Sequence, residues 1–232
     1  MKLTVLGCNG PYPAAGGACS GYLLEAGDTR VLLDCGAGAL AALTAVMPPE
    51  ELDAVVLSHL HYDHMSDMLP LIYRMQGKPK LTVYLPSEPA GTRALLAGAF
   101  DLRDLSQGGQ IGCLRTTSLP VRHPVPCFAV RCEAEGKAFC YTGDTNTCES
   151  LAAFAGGCDL LLADACFTDA LWAENKPHLS ARLAAGLARE AGAGHLLLTH
   201  FTPGCDFAAL LCEAREVYPR AALAEAGLTV RF

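Results

Sequence analysis

The sequence predicts an α/β fold: one domain over residues 1–232, built as two stacked sheets with helices outside. Three observations lead there. Short leucine-rich or β-branched runs alternate with segments of helical apolar spacing along the whole chain. No Ser/Gly-rich linker, low-complexity tract or charge block divides it, and each half carries strands and helices of its own. An apolar fraction of 51% supplies the side chains for a core between layers.

The elements follow in order. Residues 3–6, 22–25 and 30–33 read as strands, residues 38–46 as a helix, and "LDAVVLS" (residues 52–58) as a buried strand. "MSDMLPLIYRM" has the apolar spacing of a helix, residues 81–85 read as a strand, and residues 89–99 as a helix. Strands are expected over 113–119, 128–132 and 138–141, then a helix over 149–154 and a strand over 160–163. A helix over 181–191 capped by Ser180, a strand over 195–199, a helix over 207–218 and a strand over 228–232 complete the alternation.

Composition removes several function classes. With 17 basic against 24 acidic side chains the formal charge is −7, and no Lys/Arg run provides a long nucleic-acid track. No apolar stretch reaches transmembrane length, and "MKLTVLGCNG" is too short in its apolar part for a signal peptide. The twelve cysteines include no CxxC pair, so they are read as small apolar residues in a reducing cytosol.

One stretch carries chemistry. "LSHLHYDHMSD" packs His59, His61, Asp63 and His64 into six positions, although the whole chain holds only seven histidines. It occupies a strand-to-helix turn, which splays neighbouring side chains in several directions from a firm base. His59 and His61 can reach one ion while Asp63 and His64 face a second, and imidazole nitrogen and carboxylate oxygen are ligands that zinc accepts. A polar surface loop would place histidines at arbitrary offsets instead.

Two ions need further ligands, each expected at a strand end. "LPVRHPVP" offers His123, "CYTGDTN" offers Asp144 and "HLLLTHFTP" offers His200. Taken singly, His123 also reads as a loop histidine, Asp144 as a turn former and His200 as a strand-end cap. His195 has no motif and is read as structural, and Trp172 as either lining the entrance or burying a helix.

These motifs together, with "VLLDCGAG", "FCYTGDT", "LLADACF", "HLSA" and "LLLTHF", resemble the metallo-β-lactamase fold superfamily over nearly the whole chain, and within it the ribonuclease Z branch and its small armless relatives. The resemblance implies a four-layer αββα sandwich of the metallo-β-lactamase type. It also implies one ion on His59, His61 and His123, a second on Asp63, His64 and His200, and Asp144 bridging. Asp34 in "LLDCG" resembles the aspartate that braces the site from behind, and it also reads as a strand-end turn residue.

Two divalent ions about 3.5–4 Å apart hold a bridging hydroxide and clamp the oxygens of an in-line displacement. The leaving group then needs an acid near the metals but not on them. His178, in "KPHLSARL", is that candidate; a histidine ordering the helix start is the plainer reading. In ribonuclease Z-like proteins a similar histidine pairs with a carboxylate, usually a longer glutamate, where this chain has Asp164. Asp63, His178 and Asp164 are therefore the expected catalytic residues.

Zinc suits these ligands, with manganese or iron as alternatives. Only 21 positions separate His123 from Asp144, too few for the protruding arm with which tRNA-cutting relatives grip their substrate. The expected substrate is a small molecule or short oligonucleotide containing a phosphodiester. A lactone or thioester hydrolase and a non-catalytic metal-binding protein are the alternatives. The walls of the site are expected from residues 7–21 and 167–177, and the resemblance suggests a homodimer.

Overall fold

Both faces of the first strands are buried, and their alternating side chains enter two different cores. In the computed structural model, which describes residues 1–232, Tyr22, Leu24, Val31 and Leu33 point to one core while Leu23 and Leu32 point to the other. A strand covered on both faces must lie between layers.

The chain forms β1 (Lys2–Gly7), β2 (Gly21–Ala26), β3 (Thr29–Cys35), α1 (Ala39–Val46), β4 (Ala54–Val56), α2 (Tyr62–Met65), α3 (Met68–Arg74), β5 (Thr82–Leu85), α4 (Ala90–Ala94) and β6 (Asp101–Asp104). There follow β7 (Gly109–Ile111), β8 (Leu114–Val121), β9 (Cys127–Ala134), β10 (Lys137–Tyr141), α5 (Leu151–Phe154), β11 (Leu160–Asp164), α6 (Ala181–Ala191), β12 (His195–Thr199), α7 (Phe207–Val217), β13 (Ala221–Leu223) and β14 (Thr229–Arg231).

Two seven-stranded sheets result, ordered β14-β1-β2-β3-β4-β5-β6 and β13-β12-β11-β10-β9-β8-β7. In the first, β14 to β3 pair antiparallel and β3 to β6 parallel. The second repeats this plan, antiparallel from β7 to β10 and parallel from β10 to β13. The parallel connections carry helices, so the layers are helix, sheet, sheet, helix, the αββα sandwich that the sequence predicts.

The larger core fills the space between the sheets and continues under α6, whose Ala181, Ala184, Ala185, Ala188 and Ala191 form a small-residue stripe against the second sheet. The smaller core lies on the outer face of the first sheet, where Leu43, Met65, Met68 and Leu71 meet Val55 and Val83. Ser180 caps α6 as expected, accepting from the Leu183 amide. No helix is long and apolar enough to cross a membrane.

Several expectations need correction. The helix expected over residues 89–99 spans only Ala90–Ala94, because it carries Gly91 inside and is followed by Gly98 at φ 84°. The helix expected over "MSDMLPLIYRM" starts only at Met68, because a separate turn of helix, α2, forms within the histidine motif and Ser66 and Asp67 divide the two. Asp67 turns its carboxylate to the Gly38 and Leu40 amides at the start of α1. The sequence reading lacks β6, β7 and β13. All three are edge strands, short and weakly patterned as edges tend to be.

The core makes a direct prediction. Phe139 is fully buried on β10 between Cys132 of β9 and Leu160 of β11. Phe139→Ala should lower the unfolding free energy by about 3–5 kcal/mol, read as an earlier denaturation midpoint at constant m-value.

Candidate metal centre

The ligand candidates all sit just beyond strand ends on one rim of the sandwich. After β4 the chain runs through Leu57 and Ser58 to His59, His61 is the extended residue before α2, and Asp63 and His64 lie within α2. His123 follows β8, Asp144 follows β10, and His200 follows β12 directly. His200 holds φ at 64° and Asp34 at 55°, left-handed values that non-glycine residues seldom keep without support.

These side chains converge in two groups. His59 Nε2 and His123 Nε2 each lie 3.1 Å from His61 Nδ1. In the second group, His64 Nε2 is 3.2 Å from Asp144 Oδ2 and 3.6 Å from Asp63 Oδ2, while His200 Nε2 is 3.8 Å from Asp63 Oδ2. Asp144 joins the groups, its Oδ2 being 3.6 Å from His59 Nε2. Within each group the donor atoms lie within 4.8 Å of one another.

The donor set fits divalent cations. His64 Nε2 and Asp144 Oδ1 are buried without a hydrogen bond, and unpartnered polar atoms pointing into a shared cluster are what a cation satisfies. Burial pushes the His59, His61 and His200 imidazoles down, and His123 to about 4, so all four are neutral ligands at neutral pH. Burial would raise Asp144, but the imidazoles of His200, His64 and His59 outweigh it and hold the carboxyl well below its usual range. For His64, burial is outweighed by the Asp144 and Asp34 carboxylates, which push it well up. Here negative charge asks for a positive partner.

Behind the ligands stands a layer of fixed partners. Asp34, fully buried, accepts from the Ser58 amide at 2.7 Å, the Ser58 hydroxyl at 2.9 Å, His64 Nδ1 at 2.7 Å and the Tyr141 hydroxyl at 2.8 Å. It is thus both a brace and a strand-end residue of unusual backbone angle. Ser58 Oγ lies 3.1 Å from His59 Nδ1, Ser20 Oγ 3.3 Å from His200 Nδ1, and the Pro177 carbonyl 3.3 Å from His123 Nδ1. Such contacts set ring orientation and tautomer. Sequence reasoning missed Ser20, Ser58 and Tyr141 in this role, although Ser58 and Tyr141 stand inside quoted motifs.

His178 stands beside the ligands and outside both of these groups. Its ring stacks on His200 at 4.7 Å between centroids, and its Nδ1 is 2.8 Å from Asp164 Oδ2, so the shorter carboxylate reaches. Burial alone would depress the imidazole; Asp164 outweighs it and raises His178 to about 9. Asp164 itself is raised to about 6, by burial first and against the pull of His178. Trp172 is half-buried, and its indole donates to the His178 carbonyl. His195 is exposed at the start of β12.

Glycine allows two close approaches. A Cβ on Gly10 would fall 2.0 Å from the His200 ring, and one on Gly36 would fall 1.9 Å from the Asp63 carbonyl oxygen. The loop over residues 7–21 therefore buttresses His200 with bare backbone. A cleft of about 940 Å³ is lined by none of the seven ligand candidates; Arg122, Asn146, Glu174 and Leu179 are among its walls.

Comparison with known proteins places this geometry. A family profile described as the beta-lactamase superfamily domain matches residues 29–201. A probable metallo-hydrolase of Bacillus subtilis, YhfI, is 36% identical over 211 residues, covering 86% of each chain. The crystal structure of YhfI, titled a metallo-beta-lactamase fold protein, superposes with a TM-score of 0.93 at 33% identity over 99% of each chain. A ribonuclease Z of Methanopyrus kandleri is 30% identical over 277 aligned positions, covering all of this chain and 98% of its own.

Two outcomes are expected. Asp34→Asn should weaken metal binding about 10- to 100-fold, measured by titration against a chelating dye. In chelator-treated protein the His178 imidazole should titrate near 9, followed by NMR. Asp164→Asn should lower that midpoint, because the Asp144 carboxylate is then left as the main group opposing burial.

Proposed function

The chain belongs to the beta-lactamase superfamily and is a metallo-hydrolase of that kind, and from this premise we propose that it is a binuclear phosphodiesterase acting on a small or short phosphodiester. The observation that carries the reading is the His178–Asp164 pair at 2.8 Å beside a complete ligand set. Hydrolysis of a diester with a basic leaving oxygen is assisted by an acid, and this pair supplies one apart from the ligands.

His59, His61 and His123 would hold one ion, and Asp63, His64 and His200 the other, with Asp144 between them. Zinc suits the donors, and manganese or iron would be accepted by the same atoms. Two such ions supply Lewis acidity toward phosphoryl oxygens and a water of lowered pKa. The chain's own residues do the rest. Asp164 holds His178 by Nδ1, which leaves Nε2 as the nitrogen that can present a proton. Stacking on His200 keeps that nitrogen at the edge of the ligand cluster. Asp63 acts through its place among the ligands.

The bond type draws support from the relative named ribonuclease Z. Small substrates are favoured over folded RNA by the connection from β9 to β10, which turns in two residues, Glu135 at φ 56° and Gly136 at φ 73°. A net charge of −7 adds no general attraction for a polyanion.

The test uses bis(p-nitrophenyl) phosphate and thymidine 5′-phenyl phosphate against a simple lactone and a thioester, with zinc- and manganese-loaded protein. Diester turnover should be abolished in Asp144→Ala. In His178→Ala, turnover of the phenyl ester should fall by about 10²- to 10⁴-fold. Turnover of the lactone or thioester alone would transfer the reading to carbonyl hydrolysis, and two bound metals without any turnover would make the protein a metal-binding one.

A further inference from the structure

Asn146 lies two residues beyond Asp144 and is fully buried. Its Nδ2 reaches three backbone carbonyls of one irregular segment, Lys176 at 2.5 Å, Glu174 at 3.2 Å and Ala173 at 3.5 Å. Its Oδ1 accepts from the Thr147 amide at 2.6 Å. The two ends of the side chain cannot be exchanged: carbonyls require a donor and the amide requires an acceptor.

The clamped segment leads straight to His178. From 168 to 179 the chain has no helix or strand, so its order comes from turns of its own backbone and from side-chain hydrogen bonds to its carbonyls. The Arg122 guanidinium donates to the Glu174 carbonyl at 2.7 Å, and the Trp172 indole donates to that of His178 at 3.1 Å. Arg122 is itself tied to Asn146, whose amide donates to the Arg122 carbonyl at 3.0 Å. Asn146 is the buried point at which the Asp144 strand end, the Arg122–His123 strand end and the His178 segment meet.

We propose that Asn146 is a positioning residue: its side-chain amide clamps the backbone of residues 173–176 to the strand end carrying Asp144, and thereby sets where His178 stands against the ligand rings. The role assigned to His178 rests on the phosphodiesterase reading, whereas the clamp itself does not. Asparagine is needed for its two-ended chemistry. Aspartate keeps the shape and the bond to Thr147 but turns an acceptor toward three carbonyls, and alanine removes both ends.

Trp172, the only tryptophan, adjoins the clamped residues and reports on them. Emission and iodide quenching of Trp172 are measured in Asn146→Asp and Asn146→Ala, metal-free and zinc-loaded, with circular dichroism and bound zinc as controls. Both variants should stay folded and bind zinc, with Trp172 red-shifted and more quenchable. Turnover is then compared on thymidine 5′-p-nitrophenyl phosphate and thymidine 5′-phenyl phosphate, which transfer the same group and differ only in leaving group. A displaced proton donor should cost about 10- to 100-fold on the phenyl ester and little on the p-nitrophenyl ester, whose leaving group departs without a proton.

Unchanged Trp172 emission and quenching in both variants would overturn the clamp. Equal slowing on the two esters would overturn its action through His178. If the unsubstituted protein cleaves neither ester, the phosphodiesterase reading fails, and Trp172 alone decides whether the clamp exists.

Discussion

Asp34 is the interaction on which the site depends. Its carboxylate, with no exposure to water, receives four donors from three parts of the chain: Ser58 twice, His64, and Tyr141. Ser58 and His64 flank the turn after β4 in the first sheet, and Tyr141 ends β10 in the second. One side chain thus joins the two sheets at the rim where the ligands gather. A buried carboxylate without these donors would be costly, so the sheets must meet in the one arrangement that supplies them. The left-handed backbone at Asp34 fits the same account, since local strain persists where the surroundings over-determine the conformation.

Beyond that brace the site divides by charge. Three neutral imidazoles make up one group, with His61 and His123 only partly buried. The other, buried throughout, contains two carboxylates and has Asp34 behind His64. Asp144 is shared, and its low pKa and the high one of His64 have the same cause, carboxylates and imidazoles crowded where water cannot screen them. The bracing partners follow this division. A carboxylate stands behind His64, whereas hydroxyls or a carbonyl stand behind His59, His200 and His123.

The side chains that converge at the rim were legible because their signal is local: three histidines and an aspartate within six positions, then single residues placed just after apolar strands. The two-sheet order was legible from the same alternation. What escaped is what depends on register or on edges. Tyr141 meets Asp34 across 107 positions and Ser20 meets His200 across 180, and no local pattern announces either pair. The edge strands β6, β7 and β13 escaped because an edge has little apolar pattern to read. Asn146 shows the limit within a single residue. "GDTN" reads as turn chemistry, and one end of the side chain does serve the turn; the end that faces residues 173–176 follows only from the fold.

The two kinds of support in this site suggest how its chemistry is apportioned. All seven ligand candidates follow from strand ends or the α2 turn, places where the sheets leave little freedom, and His200 is further confined by Gly10 backbone. The proposed proton donor comes instead from an irregular segment held by hydrogen bonds, with Asp164 gripping its ring, Asn146 and Arg122 gripping its backbone from outside and Trp172 from within. On the proposed reading, metal binding would be built into the layers, while the group that protonates the leaving oxygen would hang on a few hydrogen bonds. A scaffold of this kind can keep its ligands and change its substrate by altering one loop and the residues that hold it. On that reading, specificity in this chain would lie in residues 167–178 and their anchors.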